Sequence, residues 1–172
     1  AMENINAIRS EISDAAKDIR LNLSNVLQST LLNESQTWMV ALTSSYFVGA
    51  RKLSNAIRAD AEAIIGEAGD NDCQAAAAIM GMNTVYYRFR HMIGKESYHQ
   101  RRASLRMNHM MNPETNKTDF ELCSMACAAL AGCEACIKAH EETLLGAGLS
   151  EDHVHEVVRI AAVIQGAAIA LT

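Results

Sequence analysis

The 172-residue sequence is poor in aromatic side chains, at 5%, and holds a single proline, Pro113. Alternating Val, Ile and Thr runs are missing, which excludes the sheet-rich classes, because strands announce themselves by period-two patterns of β-branched and aromatic residues. Basic charge is not in excess either. Fifteen Lys and Arg stand against twenty Asp and Glu, a net charge of −5, and a nucleic-acid or anionic membrane surface needs a basic stripe instead. No segment reaches the roughly 20 unbroken apolar residues that span a bilayer. The nearest, Ile160 to Leu171, is short, is interrupted by Gln165 and Gly166, and reads as a core segment. A glycine-rich phosphate loop, a Ser nucleophile elbow and a dinucleotide fingerprint are all absent. Ala1-Met2-Glu3-Asn4 shows no basic stretch leading into an apolar run, so no signal peptide is expected.

What is present is a chain with 49% hydrophobic residues, drawn from Ala, Leu, Ile, Val and Met. That composition favours helices. A chain of this length fits one domain or two small halves and buries enough surface to need no covalent staples. Five cysteines, an odd number in an Ala-rich chain, do not fit a secreted disulfide scaffold, so a reducing cytosol is the expected setting.

Helix follows helix along the chain. Ile5, Ile8, Ile12, Ala15, Ala16 and Ile19 recur at three- and four-residue spacing, which predicts one amphipathic helix to about Arg20. Asn33 with Gln36 predicts a capped helix through about Val48, with Gly49 ending or bending it. Leu53 to about Ala68 reads as a third helix closed by Gly69, and Asp70 or Asp72 as the cap of a fourth running to about His91, with Gly94 as its stop. Lys95 to Pro113 mixes basic residues with Met107, Met110 and Met111 and predicts a shorter helix, then a turn at Asn112-Pro113 that brings basic side chains toward an interface. Thr118-Asp119-Phe120-Glu121 has the capping-box pattern, which predicts a helix from Asp119 to about Ala131. Beyond Gly132, Cys133 to Leu145 and then Ser150 to about Ala170 complete the set.

The chain also resembles itself. Laying Gln74 onward over Met125 onward matches Ala75, Ala77, Ala78 and Gly81 to Ala126, Ala128, Ala129 and Gly132, so the two halves are read as related. In that register Met82 and Val85 stand where Cys133 and Cys136 do.

The chemistry concentrates in Gly132-Cys133-Glu134-Ala135-Cys136-Ile137-Lys138-Ala139-His140. On a helix Cys133, Cys136 and His140 share one face, which places a base beside a thiol. Two cysteines so spaced at a helix start can close a disulfide with little backbone movement, and the N-terminal N–H groups and dipole favour a thiolate. Three other readings stay open. Cys133, Cys136 and His140 could form part of a zinc site with Cys127 or Glu121, although a second ligand pair is lacking. The cysteines could be inert core residues, which suits Cys73, Cys123 and Cys127 better. His140 could be a surface residue beside Glu141 and Glu142.

Glu121 has two readings as well: the carboxylate of the capping box, or a group that orients His140 and passes protons to it. Of the remaining histidines, His99, His109, His153 and His155 show no ligand spacing, and His91 lies beside Arg90. Trp38 and the methionines are read as core filling.

Ala16 to Leu23, Ala77 to Asn83, Leu105 to Asn108, Phe120-Glu121-Leu122 and the run from Gly132 to Glu141 together give a more specific pattern than the cysteine pair alone. In that pattern the sequence resembles the AhpD family of alkyl hydroperoxide reductases, within the carboxymuconolactone decarboxylase-like superfamily. The resemblance covers nearly the whole chain. It implies an all-α domain over 1–172 of about eight helices in two related halves, about 1–94 without redox cysteines and about 95–172 with the pair, and usually a cytoplasmic homotrimer.

It also implies a thiol peroxidase and disulfide reductase without a bound cofactor. Electrons come from dihydrolipoamide on a lipoylated acyltransferase and pass to hydroperoxides or to the peroxiredoxin AhpC. Residue by residue, Cys136 matches the thiol that becomes sulfenic acid, Cys133 the proton donor that closes the disulfide, and His140 and Glu121 the proton relay. One position departs from the pattern. Where members often carry a histidine before the second cysteine, this chain has Ala135, preceded by Glu134, whose charge disfavours a second negative charge nearby. A metal-binding or structural helical module is the alternative reading. A decarboxylase-like activity is another, but such members generally lack the cysteine pair.

Overall fold

In the computed structural model, which describes residues 2–172, the chain is helical throughout, with no strand among those residues. The helices are α1 (Glu3–Arg9), α2 (Lys17–Leu27), α3 (Glu34–Phe47), α4 (Arg51–Ile93), α5 (Glu96–His99), α6 (Asn108–Met111), α7 (Lys117–Ala131), α8 (Glu134–Gly146) and α9 (Glu151–Ala170), with a 3-10 turn at Asp14–Ala16. The all-α, AhpD-like expectation holds, with nine α-helices among the described residues where about eight were expected.

Two helices lie at the centre. Every residue of α3 from Thr37 to Ser45 is buried, as are Phe120 and the run from Leu122 to Ala128 in α7. A helix with no polar face has to be enclosed on all sides. Accordingly α3 packs on α4, α7 and α9, and α7 packs on α3, α4, α8 and α9. Ile5, Leu23, Leu42, Ile57, Phe120, Leu144 and Ile164 belong to one apolar cluster, and full burial of such a side chain contributes about 1.5–3 kcal/mol. Two buried serine hydroxyls bond within their own helices: Ser44 Oγ donates to Val40 O at 2.7 Å and Ser124 Oγ to Phe120 O at 3.0 Å.

Asn33 and Gln36 form the expected capping box on α3. Other boundaries differ from the sequence expectation, for local reasons. The helix expected from Ile5 to Arg20 breaks after α1, because Arg9 Nε donates to Arg20 O at 2.9 Å and Arg20 Nη1 donates to Ile12 O at 2.8 Å, folding α2 back on α1. Ile5, Ile8 and Ile12 still enter the core. The interruption expected at Gly69 falls at Gly66, which takes φ 63° and ψ −170° inside α4. Gly69 is instead helical and tightly approached: a Cβ there would meet Ile65 Cβ at 2.6 Å.

Neither Asp70 nor Asp72 caps a helix. Asp70 accepts from Tyr46 Oη at 2.5 Å, and burial of Tyr46, followed by this bond, raises the Tyr46 pKa; Asp72 is buried in mid-helix facing the 109–115 segment. The single helix expected after Lys95 is two one-turn helices, α5 and α6, joined by an irregular stretch that is exposed along most of its length. At Gly81, aligned with Gly132 in the internal comparison, α4 simply continues.

Candidate active site

The site is assembled at the joint between α7 and α8. Gly132 ends α7 in the left-handed region, at φ 65° and ψ 35°, where a residue without Cβ pays no steric penalty. Its N–H donates to Ala129 O at 3.1 Å, and Cys133 N–H reaches back to Ala128 O at 3.2 Å. Cys133 then serves at once as the N-cap of α8. Its backbone is extended, and its Sγ accepts the Cys136 N–H at 3.3 Å. Cys133 and Cys136 are disulfide-bonded, with Cα atoms 5.3 Å apart. The two residues are not equally accessible: Cys133 is fully buried, whereas Cys136 keeps 6% of its surface. They pack with Met80 from α4 and with Cys127 and Ala128 from α7, flanked by Phe47, Tyr87, Met110 and Ile137.

His140 lies one turn beyond Cys136 on α8, with its Nδ1 hydrogen-bonded to Glu121 Oε1. Both side chains are mostly enclosed, 14% and 16% exposed. The expected capping box at Thr118 does not form. Asn116 caps α7 instead, accepting the Asp119 N–H at 2.8 Å and donating from Nδ2 to Asp119 Oδ2 at 3.0 Å. With asparagine as the cap the helix starts two positions earlier, so Thr118 and Glu121 lie inside it and the Glu121 carboxylate is free to meet His140. A carboxylate on Nδ1 fixes ring orientation and tautomer, leaving Nε2 as the nitrogen that takes up or gives a proton.

Charges at the joint are balanced from outside. Glu134 accepts from Lys138 Nζ at 2.9 Å, and its other oxygen lies 3.7 Å from His91 Nε2. The hydrogen bond and charge of Lys138, followed by the His91 charge, hold the exposed Glu134 carboxyl below the usual carboxylate range. His91 thus has a role that its position beside Arg90 did not indicate. Arg88 Nη1 donates to Ala131 O at 3.0 Å, so the last turns of α4 clasp the joint. Beside them Phe47, Val85, Phe89, Met92 and Ile93 line an apolar groove of about 740 Å³.

Cys73, Cys123 and Cys127 are buried and free. Burial pushes the Cys73 and Cys127 thiols up, and the neighbouring Cys123 adds to this. Such thiols stay protonated and unreactive. Among the described residues no three His, Cys, Asp or Glu side chains converge as metal ligands. No helix there is long and apolar enough to cross a membrane.

A helical bundle with a cysteine pair capping one helix and a His–Glu pair behind it fits a known class. The carboxymuconolactone decarboxylase family matches residues 97–172. The chain is 48% identical over 170 residues to alkyl hydroperoxide reductase AhpD of Anaeromyxobacter dehalogenans, covering 99% of this chain and 91% of the relative. It is 42% identical to AhpD of Rhodospirillum centenum, with 98% and 90% covered, and 43% identical to AhpD of Coxiella burnetii, with 93% and 92% covered. The chain belongs to the AhpD family, within the carboxymuconolactone decarboxylase-like superfamily.

Proposed function

We propose that this chain is a thiol-dependent peroxidase and disulfide reductase, with Cys136 and Cys133 as its redox pair and His140 and Glu121 as its proton relay. The observation that carries the reading is the Cys133–Cys136 disulfide at the start of α8, one turn from an imidazole held by a half-buried carboxylate. The alkyl hydroperoxide reductase names of the relatives support the same reading.

In the peroxide half-reaction the Cys136 thiolate, the more accessible of the two, attacks the outer peroxide oxygen. The O–O bond breaks, Cys136 becomes sulfenic acid, and the departing alkoxide takes a proton from the Cys133 thiol. The Cys133 thiolate so formed attacks the Cys136 sulfur, the S–S bond forms, and hydroxide leaves as water with a proton relayed through His140. In the reductive half an external dithiol attacks Cys136 Sγ and expels the Cys133 thiolate. That thiolate is stabilised by the Cys136 N–H and the α8 N-terminus. The second thiol of the donor then releases Cys136, so that two electrons and two protons enter.

The donor is protein-bound dihydrolipoamide on an acyltransferase, and the peroxiredoxin AhpC is the acceptor partner. No bound cofactor takes part, and the setting is cytoplasmic. The chain acts as one domain of two related halves, about 1–94 and 95–172, with a redox site only in the second. The apolar side chains left exposed at the end of α4 support assembly into a homotrimer.

Peptide mass mapping before and after peroxide, with a metal assay on the same sample, tests the reading. A Cys133–Cys136 disulfide formed by peroxide and reversed by dithiols is expected. One zinc per chain with no such disulfide would overturn it.

A further inference from the structure

Asp72 has a buried carboxylate that no part of the proposed redox chemistry uses. It accepts four hydrogen bonds, all from the 109–115 segment. His109 Nε2 lies at 2.8 Å and Glu114 N at 2.9 Å from Oδ1, and Thr115 N at 2.8 Å and Thr115 Oγ1 at 2.6 Å from Oδ2. A buried carboxylate is tolerated only when donors surround it, and here every donor comes from one otherwise loosely built stretch. His109 also lies against the Phe120 ring, with centroids 5.8 Å apart. The 100–107 stretch before it makes little secondary structure and is mostly exposed, so the Asp72 bonds are a main tie of the crossing from α5 to α7 to the body.

Met110 lies within the tied stretch. It packs against the cluster that contains Cys133 and Cys136 as well as against the main core, and it also lines a pocket of about 260 Å³ onto which Glu121 opens. Met111, Leu144 and Ala147 form other walls of that pocket, with Lys117, Thr118 and Thr143 at its polar side.

We propose that Asp72 is a positioning residue and that Met110 is the barrier it positions: Met110 separates the Glu121 pocket from the two sulfurs. Glu121 thereby meets water and exchanges protons through the pocket, while reagents larger than water are refused at the sulfurs from that side. The functional meaning of this division rests on the redox reading of the pair, but its geometry does not. A thioether suits such a barrier because its unbranched chain fills irregular gaps between an apolar cluster and a pocket.

The test uses the full-length protein reduced with dithiothreitol. Alkylation of Cys133 and Cys136 by iodoacetamide and by the larger N-phenylmaleimide is followed by peptide mass mapping. Met110→Ala is expected to speed the reaction with the larger reagent by about tenfold, as loss of a barrier of roughly 1.4 kcal/mol would, whereas Met110→Leu, of similar bulk, keeps the native rate. Thr115→Val, which removes one Asp72 bond at an exposed residue, is expected to raise that rate with Met110 unchanged. Asp72→Asn is expected to raise it further wherever its thermal unfolding shows a folded protein.

A native rate in Met110→Ala, or an equal rise in Met110→Leu, overturns the barrier. A native rate in Thr115→Val overturns the role of Asp72. Alkylation needs no peroxide turnover, so absence of peroxidase activity in the native chain would defeat the proposed function and leave this result intact.

Discussion

His140 and Glu121 are joined across the α7–α8 pair, Nδ1 of one hydrogen-bonded to Oε1 of the other, although 19 positions separate them in the chain. His140→Gln is expected to slow peroxide consumption by the reduced protein about 100-fold, the usual cost of a lost proton carrier. Glu121→Gln should cost less, because its amide oxygen still accepts from Nδ1–H. Stopped-flow measurement of both variants checks this; an unchanged rate in His140→Gln removes the imidazole from the chemistry.

The roles proposed for the two cysteines, which differ in burial, give separate fates to the two single cysteine variants. With peroxide, Cys133→Ser is expected to accumulate a sulfenic acid on Cys136 that dimedone traps. Cys136→Ser is expected to give no adduct and no turnover. Intact-mass analysis distinguishes them, and a dimedone adduct on Cys133 in Cys136→Ser would reverse the assignment.

Glu134 is exposed, and its neighbours Lys138 and His91 offset its charge at the joint. Glu134→Gln removes a negative charge near the thiols and should lower the midpoint of thiolate formation, whereas Lys138→Met should raise it. Each change should be less than about one pH unit and should shrink in high salt, because exposed charges are screened. Thiolate absorbance against pH, at two ionic strengths, reads both.

Burial alone would raise the Asp72 pKa. Hydrogen bonds from Thr115 and His109 and from the Glu114 and Thr115 backbone outweigh it and hold the carboxyl below its ordinary value. A depressed folded-state pKa contributes stability that is present above the unfolded-state value, about 4, and lost as pH falls through the folded one. Asp72→Asn is therefore expected to cost about 2–4 kcal/mol at pH 7 and much less near pH 2. Urea unfolding at both pH values checks it, and an equal loss at each would rule out the carboxylate as the cause.

Gly132→Ala forces a side chain to φ 65° with open space around the new Cβ, so its cost is conformational, about 1–2 kcal/mol. A fall in Tm of about 3–6 °C is expected. Calorimetry reads it, and a larger loss would point to displacement of the joint itself.

The periodic apolar residues made the helices legible, and the spacing of Cys133, Cys136 and His140 made half the site legible. The rest was hidden for physical reasons. Thr118 and Glu121 satisfy the capping-box pattern, but Asn116 starts the helix two residues earlier by accepting the Asp119 N–H, so both lie inside the helix, which no local pattern could decide. Ile5 to Ile19 keeps helical spacing across a break because Ile5, Ile8 and Ile12 enter the core and Ile19 packs against it from the next helix. Asp72, His91 and His109 act through partners between 37 and 43 positions away, and no spacing rule within one helix reaches that far.

Only Gly132 separates the end of α7 from the residue that caps α8. The backbone on either side of the pair is therefore anchored by two packed helices, and when the sulfurs part they have almost nowhere to go. Each remains at a very high effective concentration toward the other. In the proposed exchange, a foreign thiol that captured Cys136 would thus be answered from within the chain almost as soon as it bound. Intermediates linked to a partner would accordingly be brief, and Cys133→Ser is the variant expected to trap one.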